Sequence, residues 1–175
     1  MRIGVGVRAH SGLVLLLCVA LSGCGQSSDV VSEAAHSGDC SGVTVVVDYG
    51  LLDDNPEASC VDVADSGDLA SNVLRSAGYT TEGTDTYGDL IVCRVNGLPS
   101  ATEPFDVPGE DPHLETCADM PPAFAYWSLW QKGAPDDEWD YAQEGVGTLQ
   151  LTPGMSIGLV FSTGEDTPTP DGHSD

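Results

Sequence analysis

The chain has 175 residues, with 28 acidic against 5 basic side chains, a formal net charge of −23, 21 glycines, 11 prolines and 6 cysteines. That length allows one domain with a modest core. So negative a charge argues against a nucleic-acid binder, because phosphate recognition needs clustered Lys and Arg, and against electrostatic docking on anionic lipid.

Residues 1–23 read as an export signal: Arg2 and Arg8 precede an apolar run from Leu13 to Leu21, followed by the small residues Ser22 and Gly23. The run is roughly half the ~20 apolar residues that a bilayer-spanning helix needs. Leu21, Ser22, Gly23 and Cys24 resemble the bacterial lipobox, whose cysteine thiol receives a diacylglycerol before the preceding peptide bond is cut. The expectation is a lipoprotein that starts at acylated Cys24 and sits in membrane lipid on the extracytoplasmic face. Each buried acyl methylene contributes about 0.8 kcal/mol to such an anchor. Residues 24–39 are small, polar and acidic, and read as a flexible tether. Beyond residue 24 the bases are Arg75, Arg94 and Lys132, against all 28 acids.

An exported chain meets oxidising conditions, and with Cys18 and Cys24 set aside, Cys40, Cys60, Cys93 and Cys117 remain. Four cysteines allow three pairings. The sequential one, Cys40 with Cys60 and Cys93 with Cys117, is expected; it closes loops of about 20 and 24 residues, each worth roughly 3 kcal/mol in the chain-entropy model. No CxxC occurs, and His36, His113 and His173 lie at no ligand spacing from the cysteines, so no metal site is expected.

In the domain proper, residues 40–162, Val43–Tyr49 reads as a strand buried on at least the face that carries Val43, Val45, Val47 and Tyr49. Val61–Val63 reads as a short partner. Ser66 or Asp68 is placed to cap a helix whose Leu69, Ala70, Val73, Leu74 and Ala77 form an apolar stripe ended by Gly78. Asp89–Val95 is a second strand, followed by Asn96-Gly97, which favours a tight hairpin turn because both residues tolerate positive φ. Six prolines between Pro99 and Pro122 exclude a helix or central strand and predict a long loop. Phe124–Gln131 is a strand with Trp139–Ala142 as its hairpin mate, and Thr148–Thr152, a Pro153-Gly154 turn and a strand through Met155, Ile157, Leu159 and Phe161 complete the domain. The count is an α+β domain of about six strands and one helix. Residues 163–175 read as a disordered acidic tail.

Five of the eleven aromatics, Tyr126, Trp127, Trp130, Trp139 and Tyr141, fall within 16 residues. Alternate strand positions point to opposite faces, so these five cannot all be core. Trp127 is expected inside, and Tyr126, Trp130 and Trp139 are expected to form a surface for a flat ligand. Gly154–Gly158 matches GxSxG, but a nucleophile elbow needs a strand-to-helix turn with an acid and a histidine to follow, whereas Leu159, Val160 and Phe161 continue a strand. No catalytic residue is expected. The acid groups Asp53, Asp54, Glu57 and Asp136, Asp137, Glu138 follow no EF-hand pattern and read as solvated surface.

The order VTVVVDYG, DLASNVLRSAGY, LIVCRVNGLPS with a second cysteine downstream, AYWSLWQ, WDYAQEGVG and a final strand after TPGM resembles the transcobalamin-like C-terminal domain over about residues 40–161. That family occurs in bacterial surface proteins and in the corrinoid-binding part of animal transcobalamin and intrinsic factor. The resemblance implies a β-grasp-like mixed sheet crossed by one helix. It also implies a non-enzymatic surface module that captures a small ligand such as a corrinoid and hands it to an uptake transporter. The alternative expectation is a cell-envelope interaction or adhesion module without a small-molecule ligand.

Overall fold

The computed structural model describes residues 40–53, 57–164 and 167–170. The expected export signal, Cys24 and its acyl anchor, the tether and residues 171–175 lie outside the described residues. In chain order the elements are β1 (Val43–Asp48), a 3₁₀ turn (Gly50–Leu52), β2 (Glu57–Val61), β3 (Asp68–Leu69), α1 (Ala70–Ser76), β4 (Thr81–Thr84), β5 (Gly88–Val95), β6 (Ala125–Lys132), β7 (Asp140–Tyr141), β8 (Gln150–Leu151) and β9 (Ser156–Thr163).

Four valines make β1 the natural centre of a sheet, because a β-branched side chain packs well on a pleated surface. The sheet runs β2-β1-β9-β6-β7. β1 and β9 are parallel, and every other pair in it is antiparallel. One face carries Val43, Val45 and Val47 of β1, Ala125, Trp127 and Leu129 of β6 and Ile157, Leu159 and Phe161 of β9, all in the main core. α1 lays Ala70, Val73 and Leu74 on that core. Trp127 meets Tyr49 and Phe161 edge-on, each with ring centroids 5.4 Å apart. Burying each such aliphatic or aromatic side chain is worth roughly 1.5–3 kcal/mol.

β1 is buried along its whole length, on both faces. A parallel pair at the centre of a sheet is normally covered on both sides. The second face is polar but paired: the Ser128 hydroxyl shares a 2.9 Å bond with the Ser162 hydroxyl and donates to the Val160 carbonyl at 3.0 Å. Residues 167–170, expected in a disordered tail, lie on this face. Pro170 is buried against Gly158, where a β-carbon would collide with the proline ring, and Thr167 shares a 3.0 Å hydroxyl bond with Tyr126.

α1 ends where expected. Gly78 has φ of 94°, its N–H reaches the Arg75 carbonyl at 3.0 Å, and the Tyr79 N–H reaches Leu74 at 2.9 Å, a Schellman pattern. Its start differs: the N-cap is Leu69 with no side-chain cap, and the Asp68 carboxylate instead accepts from the Leu69 N–H and the Asn72 amide, each at 2.8 Å. These two bonds, the Asn72 one foremost, hold the Asp68 carboxyl below its ordinary 3.8.

The domain is α+β, with a mixed sheet and one helix, and it holds nine strands among the described residues instead of about six. The additional strands are short. β3 pairs with β8, and β4 pairs with β5 through two register shifts. The partner of β1 is β2, ending at Val61 where Val61–Val63 was expected. Asn96 and Gly97, at φ of 50° and 79°, make the expected tight turn, but it closes only the Val95–Leu98 bridge before the chain enters the proline-rich loop. No helix among the described residues is long and apolar enough to cross a membrane.

Candidate functional site

β5 and the loop after it are fastened together twice. Cys93 is bonded to Cys117, and Cys40 to Cys60 near β1 and β2, which is the sequential pairing. Beside the first disulfide, the buried Arg94 guanidinium donates to the Pro99 carbonyl at 2.9 Å, to the Glu115 carbonyl and to the Glu82 carboxylate at 2.7 Å. Glu115 turns its carboxylate inward, accepting from the Cys117 N–H at 2.7 Å and facing His113 at 3.4 Å. One cation thus joins β5, β4 and two points of the loop, Pro99 and Glu115.

This fastening sets two walls of a cleft of about 570 Å³, a size typical of small-molecule sites. Leu90, Ile91 and Val92 of β5 form one wall and the loop segment at Met120, Pro121 and Ala123 another. The floor is Tyr126, Trp127 and Leu129 of β6, and the last side is the segment from Tyr141 to Gly145. Gly145 lies directly on the Leu90 backbone, with no room for a β-carbon. Leu90, Met120 and Tyr141 are 57%, 56% and 43% exposed. Three large apolar side chains left in water around one hollow mark a surface that gains by being covered.

Tyr126, one of the expected ligand residues, lines this cleft with Tyr141. Burial, and after it the neighbouring Tyr126, holds the Tyr141 hydroxyl above its ordinary 10.0. Trp130 does not join them as expected: it is buried, its indole N–H donates to the Ser128 hydroxyl at 3.0 Å, and its ring packs edge-on to Tyr141 at 5.2 Å. Strand alternation places Trp130 on the same face as Tyr126, but the cover over that face removes it from solvent. Trp139 is half-buried, with the Lys132 ammonium 4.7 Å from its ring centre and Gly158 close by, and it lies outside the cleft lining. The three expected ligand residues therefore do not form one surface. Leu90, Met120 and Tyr141 were missed as cleft residues, since three separate segments supply them; their exposure is the signal, and it exists only in the fold.

Ser156 of the GxSxG match is buried at the start of β9, beside Thr44 and Lys132 in register, not on a strand-to-helix turn. Asp136, Asp137 and Glu138 are exposed, and Asp137 caps its own turn by accepting from the Ala134 N–H at 2.9 Å. Of the other acid group, Asp54 lies outside the described residues. Cys93, Glu115 and Cys117 place ligand atoms within 4.8 Å of one another, but the two sulfurs are bonded together and offer no thiolates. Comparison with known proteins finds no matching family model, curated protein or solved structure.

Proposed function

We propose that this chain is a non-catalytic binding module, displayed on the extracytoplasmic face of a membrane through acylated Cys24, whose ligand occupies the cleft between β5 and β6. The observation that carries the reading is the convergence of exposed Leu90, Met120 and Tyr141 on one hollow whose walls are tied by a disulfide and by Arg94. Tying the walls together reduces the ordering cost of capture. The fold would be β-grasp-like, as the resemblance to the transcobalamin-like domain implies, and a flat ligand of the corrinoid kind would lie against Tyr126 and Tyr141. Delivery to an uptake transporter would follow capture.

The test is a tryptophan-fluorescence titration with cobalamin and cobinamide on the wild-type chain and on Leu90→Glu. Trp127 contributes to the cleft, so a ligand seated there quenches it, and a carboxylate at position 90 weakens that quenching at least tenfold. Quenching that is equal in both proteins removes the cleft from the account; no quenching removes the corrinoid. The envelope-interaction reading draws on the outer edge of β6, which runs along the same cleft.

A further inference from the structure

β6 is covered unequally along its outer side. β7 pairs only with Trp130 and Gln131, and the Ala142 N–H extends that pairing by one bond, 2.8 Å to the Leu129 carbonyl. That bond shows which way the backbone faces: the Leu129 peptide groups point away from β9. Because strand groups alternate with period two, the Trp127 N–H and C=O point to the same outer side. The Ala125 N–H is taken by the Pro122 carbonyl at 3.1 Å. Between those two bonds no strand among the described residues pairs with β6 on that side, and Trp127 and Leu129 line the cleft there.

A strand edge beside apolar side chains is the arrangement by which sheets accept an extended peptide: backbone bonds supply affinity and alternate side chains fill flanking pockets. An extended segment of four residues spans about 13 Å. Charge selects its kind. Glu144 lines the cleft, and exposed Asp89, Asp119 and Asp140 adjoin its lining residues Leu90, Met120 and Tyr141. Of the three described bases, Arg94 and Lys132 are buried and Arg75 lies on α1. The rim is therefore negative.

We propose that the outer edge of β6 between Ala125 and Leu129 accepts an extended, apolar and basic segment of a partner protein, which adds as a strand within the cleft. The proposal rests on the reading of this cleft as a binding site and takes up its envelope-interaction alternative, with a peptide strand in place of the small ligand. Segment 25–39 of this chain carries Asp29, Glu33 and Asp39 with no Lys or Arg, so the negative rim disfavours it as the occupant.

The test is a calorimetric titration of the whole chain with acetyl-Lys-Val-Lys-Val-Lys-amide, with versions N-methylated on one or the other alternate set of amides, and with the Glu-Val-Glu-Val-Glu analogue. The proposal expects saturable binding of the Lys peptide, lost at least tenfold when one alternate set is methylated and retained when the other is. The Glu analogue is expected to bind at least tenfold more weakly. Leu90→Glu, and separately Met120→Glu at a second exposed position, weaken the apolar contribution, and circular dichroism checks that each folds. Equal binding of all methylated forms overturns strand addition while apolar capture in the cleft stands. Equal binding of the Glu analogue overturns the basic partner. Failure of the Lys peptide together with cobinamide quenching that responds to Leu90→Glu overturns this proposal and leaves the binding site in place; failure of both ligands overturns both.

Discussion

Replacing Arg94 by Met removes the buried cation that ties β5 to β4 and to the loop carrying Met120, while keeping most of the aliphatic stem that packs there. Two of its three partners are main-chain carbonyls, of Pro99 and Glu115, in buried bonds that lose their donor. Each carbonyl left without one costs about 1–3 kcal/mol. The third partner, Glu82, has a side chain 57% exposed and is resolvated by water, so that ion pair adds at most about 1 kcal/mol. The expected loss is about 3 kcal/mol, nearly all from the two carbonyls, which for a domain of this size corresponds to roughly 12 °C in Tm. Urea denaturation of wild type, Arg94→Met and Glu82→Gln under oxidising conditions separates the contributions. The midpoint should fall sharply for Arg94→Met and hardly at all for Glu82→Gln, with unchanged slope. Equal losses in the two variants would show that the surface ion pair, not carbonyl satisfaction, is what Arg94 supplies, and a loss under 1 kcal/mol for Arg94→Met would refute the fastening argument altogether.

The Cys93→Ala, Cys117→Ala double variant opens a loop of 24 residues and should lose about 3 kcal/mol in denaturation, with weaker ligand capture as the Met120 wall loosens; an unchanged midpoint would contradict this. Gly158→Ala drives a methyl group into the Pro170 ring, so carboxypeptidase should trim residues 167–170 faster than in wild type, and an unaltered trimming rate would mean the segment does not pack there. Asp68 is held below 3.8, so its contribution is present above that pH and is lost as pH falls through the lowered value. Thermal melts of wild type and Asp68→Asn should therefore converge as pH drops below 3.8, and a constant gap would show that the charge on Asp68 contributes nothing.

The elements legible in the sequence are those whose pattern is enforced by burial. β1 is buried throughout and β9 from Ser156 to Ser162, so their apolar runs admit few alternatives, and the alternation in β6 correctly separates Trp127 from Tyr126 and Trp130. The Asn96-Gly97 turn and the Gly78 stop follow from local backbone chemistry. β4, the sequence Thr-Glu-Gly-Thr, carries no apolar alternation, and only pairing with β5 makes it a strand. The second face of the sheet explains the errors at the site. Nothing local in a segment of Thr, Pro, Gly and Asp announces that Pro170 will pack on Gly158, and nothing local to Trp130 announces that it will be buried on the same face, packed on Tyr141 and bonded to Ser128. Leu90, Met120 and Tyr141 are far apart in the chain, and the disulfide and Arg94 bring two of their segments together.

The most direct measurement is an amide-resolved nuclear magnetic resonance titration of the oxidised, isotopically labelled chain, first with cobinamide and then with the Lys-Val peptide. The account expects the shifted amides to cluster at Leu90–Val92, Tyr126–Leu129 and Tyr141–Gly145 for any ligand that binds. Shifts centred on Trp139 or on the β1–β2 edge, or a spectrum unmoved by both ligands, would contradict the assignment of this cleft as the capture site.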